Sequence, residues 1–402
     1  MVSTPRESAS EPRAGASEGQ GLLGVLRDAA AAWQDRARAA HPAGPRNAIL
    51  LVTLGLIAFG MVVQLGHAST TLPPDAFRAQ MTEQVGFRLA GVAILVALMG
   101  LGPRRIEPLI PALAVGSFVL LVLCFVPGVE RSINGSNRWI KIPGLPSVQP
   151  SEIARVVLVL WVARRCALSP TLSLDLRTGF LPSLALGIGA AALIFLEPDL
   201  GGTLLFLASF GVTLFVGGAR PKHVGAVAAC ALLAVAIALQ VFGHVAERFA
   251  VWTGGATNSQ VSRAAEAMAS GDLFGVGFAQ GGFRNDGVQY MQTDYALAQV
   301  GEEFGLFGVA VVVLLFGAFV YHALRLVLCL RDRFSGLVVF GLSMTVALQA
   351  LIHLQVVTGL SPPKGMALPF LSDGGSALLS SSVAVGLVLG AARSSVEELQ
   401  LS

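Results

Sequence analysis

The chain has 402 residues, 54% of them hydrophobic and 13% charged, with a net charge of +3 and a mean hydropathy of +0.71. That balance excludes an ordinary soluble multidomain protein, and the Lys and Arg residues, spread between apolar runs with no single basic patch, exclude a nucleic-acid binder. The length divides instead into bilayer-spanning segments of about 20 residues each.

Residues 1–46 are rich in Ala, Ser, Gly, Pro and charge and are read as a cytoplasmic, disordered tail. Within them "GLLGVLRDAAAAWQDRARAA" has the pattern of an amphipathic helix, either lying on the membrane surface or serving as a marginal juxtamembrane helix. Beyond Arg46, ten apolar runs are centred near residues 57, 95, 117, 158, 188, 210, 233, 316, 346 and 385. They predict an all-α, polytopic membrane domain over 47–393 with about ten transmembrane helices and both termini on one side. Arg36, Arg38, Arg46, Arg104, Arg105, Arg164, Arg165, Arg177, Arg220, Lys222, Arg325, Arg331, Arg333 and Arg393 all fall on one set of connections, which the positive-inside rule assigns to the cytoplasm. Residues 394–402 are then a short cytoplasmic tail. Cys124, Cys166, Cys230 and Cys329 lie in or at the ends of apolar runs without metal-ligand spacing and read as small buried hydrophobes.

The opposite face receives four polar loops, 129–155, 196–202, 243–304 and 359–382, the largest between the seventh and eighth runs. In the last of them Pro362, Pro363, Gly365, Pro369, Gly374 and Gly375 predict a re-entrant or broken helix lining a cavity, because irregular backbone at membrane depth survives only beside protein or water. Charged residues cluster at the ends of the runs: Arg138, Lys141, Glu152, Arg155, Glu197, Asp199, Asp294, Glu302, Glu303, Lys364 and Asp373. Each asks for a partner or a task. Singly, snorkelling or a structural ion pair accounts for any of them, as with Glu152 and Arg155 three residues apart. Together, cations that grip phosphate and a desolvated carboxylate with a raised pKa suit a lipid-linked phosphate substrate. Asp294 fits two roles, a general base or the N-cap of the following helix. The Gly-rich "GDLFGVGFAQGG" lacks the Gly-Lys-Ser/Thr of a phosphate loop and predicts no nucleotide site. His244 and His353 carry no paired ligand spacing and read as ordinary polar residues.

Six motifs in series, "NGSNRWI", "QPSEIAR", "EPDLGGTLLF", "GDLFGVGF", "TDYALAQVGEEFG" and "LPFLSDGGSALL", resemble the FtsW/RodA/SpoVE (SEDS) family over residues 47–393. "GEEFG" and "PPKGMALPF" are closer to its FtsW cell-division branch. The resemblance implies an inverting peptidoglycan glycosyltransferase at the outer face of the cytoplasmic (inner) membrane, polymerising lipid II in cell division or shape maintenance beside a class B penicillin-binding protein transpeptidase. It implies Asp294 as the catalytic base, with Arg138, Lys141, Glu152, Arg155, Lys364 and Ser372 binding substrate. No organic cofactor is implied, and a divalent cation, Mg or Mn, is admitted at the diphosphate. The same residues leave open a lipid II flippase or a noncatalytic scaffold that activates its transpeptidase. The chain departs from the family pattern at Gln289 and Tyr290, where Pro-Glu is usual, and at Asp373, where a tyrosine is usual.

Overall fold

Backbone amides inside hydrocarbon have no water to bond, so each apolar run must close its own hydrogen bonds as a helix. The computed structural model describes residues 41–133, 136–140, 148–168, 181–254, 259–283, 288 and 290–401. In chain order the helices are α1 (Ala43–Thr71), α2 (Pro74–Ile106), α3 (Ile110–Leu123), α4 (Pro150–Leu168), α5 (Leu181–Leu196), α6 (Leu200–Val216), α7 (Pro221–Val241), α8 (Gly243–Trp252), α9 (Ser259–Ser270), α10 (Ala296–Cys329), α11 (Arg333–Val357) and α12 (Gly375–Leu401). Among the described residues, six helical stretches are long and apolar enough to cross a bilayer, and Leu184–Leu196 and Leu200–Val216 are shorter apolar helices. The molecule is a multi-pass membrane protein. The amphipathic stretch in the tail, Lys141 and Gln289 lie outside the described residues.

Burial separates the helices into a centre and a rim. α12 and α11 are the most enclosed, with 78% and 61% of their apolar windows buried, whereas only 11% of that of α7 is. α12 packs along α2 at close range because Gly386 and Gly390 face it: a methyl group there would sit 2.8 Å from the Leu95 carbonyl oxygen and 2.7 Å from Gly102 Cα. Such small-residue contacts let helices approach in a lipid solvent, where the hydrophobic effect gives no drive for association.

Two departures from regular helix shape one end of the bundle. The expectation of an all-α chain needs one correction: β1 (Glu130–Ile133) and β2 (Ser136–Ile140) pair antiparallel, Arg131 opposite Trp139. The Asn134-Gly135 dipeptide between them is the composition that tight hairpins prefer, and β-branched and aromatic neighbours suit strands. Ile140 then exchanges backbone bonds with Val148, holding the hairpin over the start of α4. The other departure is the stretch 358–374: a re-entrant or broken helix is expected there, but its prolines and glycines leave no helix before Gly375. Met366, Leu368, Phe370 and Leu371 are nonetheless buried, so this irregular segment is packed inside the bundle.

Candidate active site

At that end of the bundle a cavity of ≈ 490 Å³ opens between the hairpin, α4, the α5–α6 connection, α8, the residues preceding α10 and the irregular segment. Arg138, Glu152, Arg155 and Asp294 all line it, brought together from the hairpin, one turn of α4 and the residues before α10. Asp199, Arg248, Gln349 and Asp373 line it too.

Asp294 is not a helix cap. The N-cap of α10 is Tyr295, without a side-chain bond, and the Asp294 carboxylate turns toward Gly365, where a methyl group would lie 2.9 Å from Oδ2. Burial pushes its pKa up to about 6, against a hydrogen bond from Thr293 and the charges of Arg248 and Arg138, which pull it down. The two residues that precede it are clamped from the irregular segment and α1. The Ser372 hydroxyl donates to the Thr293 carbonyl at 2.7 Å, and the Asp373 amide donates to the Gln292 carbonyl at 2.8 Å. From α1, fully buried Gln64 donates Nε2 to the carbonyls of Gln292 (3.1 Å) and Leu371 (3.0 Å), tying the Asp294 loop to the irregular segment. Ser372 therefore stands behind the cavity and not in its wall: its hydroxyl also accepts from the Leu368 amide at 2.8 Å.

The cations divide by how fully they are engaged. Arg138 donates Nε to the Glu197 carbonyl at 3.2 Å and Nη2 to the Pro198 carbonyl, closing the end of α5, and its Nη1 lies 3.6 Å from Asp199. Asp199 in turn caps α6, accepting from the Gly202 amide at 2.9 Å. Arg155 pairs with Glu152 and donates Nη2 to Gln349 at 3.1 Å, while Ser380 donates to Glu152 at 2.8 Å, so the spacing-based ion pair is a buried wall of the cavity, with the guanidinium Nε left without a hydrogen bond. Lys364 lines a narrow side hollow of ≈ 20 Å³ shared with Arg138, Arg248 and Asp199, and burial lowers its pKa. Arg248 is the residue that sequence reasoning missed. It makes no hydrogen bond or ion pair among the described residues, opens onto both hollows, and its charge acts on Asp294. A lone cation on the short helix "GHVAERFAVW" was the available signal, but nothing local said which way it faced. Among the described residues no three His, Cys, Asp or Glu side chains gather as a metal site. A divalent ion beside Asp294 and Asp199 would draw most of its ligands from a bound diphosphate and water.

Glu302 and Glu303, two helical turns on, are built differently. Gly305 has φ +65°, which breaks α10. The break would leave the Leu306 and Phe307 amides and the Glu302 and Glu303 carbonyls without partners. The "GDLFGVGF" loop supplies all four: Leu306 and Phe307 donate to Asp272 and Leu273 at 2.9 and 3.1 Å, and Val276 and Gly277 donate to Glu302 and Glu303 at 2.9 and 3.1 Å. The two buried carboxylates then secure the rest of the loop, Glu302 accepting from Phe283 at 3.0 Å and Glu303 from Ala279 at 3.2 Å.

Comparison with known proteins agrees with this architecture. A family model described as "Cell cycle protein", covering FtsW, RodA and SpoVE, matches residues 46–397. The chain is 30% identical over 349 residues to a probable peptidoglycan glycosyltransferase FtsW of Geobacter metallireducens, spanning 85% of this chain and 92% of that one. In a solved structure concerning coordination of polymerization and crosslinking by a peptidoglycan synthase complex, a chain 25% identical superposes with a TM-score of 0.71, covering 86% of this chain and 97% of that one. The rod shape determining protein RodA of Thermus thermophilus superposes with a TM-score of 0.62 at 27% identity, covering 86% and 95%. With the family model spanning nearly all of the described helices and the same fold in its solved relatives, the chain belongs to the FtsW/RodA/SpoVE family.

Proposed function

We propose that the chain is a peptidoglycan glycosyltransferase that joins lipid II units into glycan strands, with Asp294 as its base. The observation that carries this reading is the placement of a half-buried carboxylate, tuned toward neutrality, in a cavity that also holds Arg138 and Arg248. The base near pH 7 is mostly ionised and accepts the proton of an acceptor-sugar hydroxyl as that oxygen attacks the anomeric carbon of the lipid-linked sugar. Undecaprenyl diphosphate leaves from the opposite face with inversion, in the manner of an inverting glycosidase whose water is replaced by a hydroxyl. Arg248 and Arg138, with Lys364 beside them, offset the charge that develops on the departing diphosphate, the role this reading also gives to Lys141. Glu152, Arg155 and Ser372 act behind them, keeping the wall and the Asp294 loop in place.

We take the chain to cross ten times with both termini in the cytoplasm, which would have the cavity open at the outer face of the inner membrane. Supporting that orientation, Arg104 at the other end pairs with Glu107 at 2.9 Å and with Asp332, on connections rich in arginine. In this reading residues 1–46 are the cytoplasmic tail, 47–393 the membrane domain and 394–402 a short cytoplasmic tail, and the partner is a class B penicillin-binding protein in division or shape maintenance. The test is purified full-length protein with that partner and lipid II. Glycan strands form with the parent and not with Asp294→Ala. Polymer made equally by both removes Asp294 as the base, and lipid II translocation in liposomes without polymer replaces the transferase by a flippase.

A further inference from the structure

Asp373 stands in the cavity wall just before α12. Both of its oxygens are held by amides of α2: Gln80 Nε2 donates to Oδ2 at 2.8 Å and Gln84 Nε2 donates to Oδ1. Arg88, one turn further along the same helix, donates Nη1 to Gln84 Oε1 and to the Gln84 carbonyl at 3.3 Å. Gln80, Gln84 and Arg88 recur every fourth residue and so form one stripe of α2 facing the acid.

The order of this relay dictates its polarity. A guanidinium can only donate, so Gln84 must turn its carbonyl oxygen to Arg88 and its NH₂ group to Asp373. Arg88 is 6% exposed, and its Nε and Nη2 make no hydrogen bond. A buried cation so placed is costly unless it compensates a nearby negative charge, and Asp373 is the carboxylate on which its charge acts. Burial pushes the Asp373 pKa up, while the Gln80 and Gln84 amides and the Arg88 charge pull it back toward the carboxylate form. A carboxylate offers about four lone-pair sites, so two remain for the cavity.

The cavity thus carries arginine donors near Pro198 and Asp199, the carboxylates Glu152, Asp199 and Asp294, and at Asp373 a further acceptor fixed from outside by α2. Phosphate has only acceptors to offer, whereas sugar hydroxyls and acylamino N–H groups donate. We propose that Asp373, held by Gln80, Gln84 and Arg88, is a carbohydrate-recognition residue that accepts hydrogen bonds from the sugar of a bound substrate while the arginine end takes the diphosphate. This rests on the reading of the cavity as a lipid-linked sugar site.

The experiment separates the two. Full-length protein in nanodiscs is titrated with lipid II, with undecaprenyl diphosphate lacking sugar, and with a short lipid-free glycan. Asp373→Ala is expected to weaken a sugar-bearing probe about tenfold, the loss of one or two hydrogen bonds to a charged acceptor, and to leave undecaprenyl diphosphate unchanged. Gln80→Ala, which keeps the acid and removes one clamp, gives a smaller loss of the same selectivity. A loss confined to lipid II places the donor sugar at Asp373, and one confined to the glycan places the acceptor strand there. Equal weakening of all probes, or no change in any, overturns the assignment. A parent protein that binds none of the three overturns the underlying substrate reading instead.

Discussion

Asp294 and the pair Glu302 and Glu303 are little more than two helical turns apart in the chain, yet they meet opposite environments. Glu302 and Glu303 are 2% and 1% exposed, take backbone amides on their carboxylates, and hold the loop that fills the break at Gly305. Asp294 faces a cavity with arginines across it. A carboxylate surrounded by donors at the edge of the membrane is a structural anchor; one left facing open space is available for chemistry. The acids in "TDYALAQVGEEFG" thus stand in two environments, separated by backbone geometry at Gly305 and by the irregular segment.

Substitutions on the two sides should break different things. The largest effect is expected from Asp294→Ala, which lowers the rate of glycan synthesis by roughly 10²–10⁴-fold with the melting temperature in detergent kept, as removal of a general base should. Glu302→Leu reverses the pattern: the Phe283 amide loses its acceptor in a buried site, stability falls by about 1–3 kcal/mol in thermal unfolding, and polymerisation per folded molecule stays near the parent value. Equal loss of activity in both variants would erase the distinction.

Gln64→Leu tests the clamp between the two. Losing the amide that ties Gln292 to Leu371 loosens Asp294 without touching substrate, so kcat falls about tenfold and KM is unchanged. The smallest effects concern protons. A base with its pKa raised to about 6 is active only when ionised, so the rate declines as pH falls through 6, and that limb of the profile disappears if another group is the base. Because the folded pKa lies above the ordinary carboxylate value of 3.8, ionised Asp294 opposes folding above pH 6 and ceases to do so below about pH 4. Asp294→Asn should therefore raise stability at pH 7.5 by about 1 kcal/mol, solvent in the cavity trimming a larger upper bound, with little change at pH 4. Melting temperatures of parent and variant at the two pH values check the sign.

Much of this architecture was legible in the order of residues. Each apolar run lies in a helix, the prolines and glycines of 359–382 forecast that the segment would line the cavity although not that it would lack the expected re-entrant helix, and the three-residue spacing of Glu152 and Arg155 forecast their ion pair. These are local properties, carried by hydropathy, ring constraint and helical period, and so they survive without a third dimension. What only the tertiary structure decided is who faces whom. Arg248 on α8 shares the cavity with Asp294 from an earlier part of the same 243–304 segment, Gln64 reaches Gln292 from α1, Asp373 is held by α2, and Ser372 stands behind the cavity. No periodicity encodes such pairings, because the same side chain in the same helix has equal local energy whether it points at lipid, at a neighbour or at a cavity; packing of distant segments makes the choice.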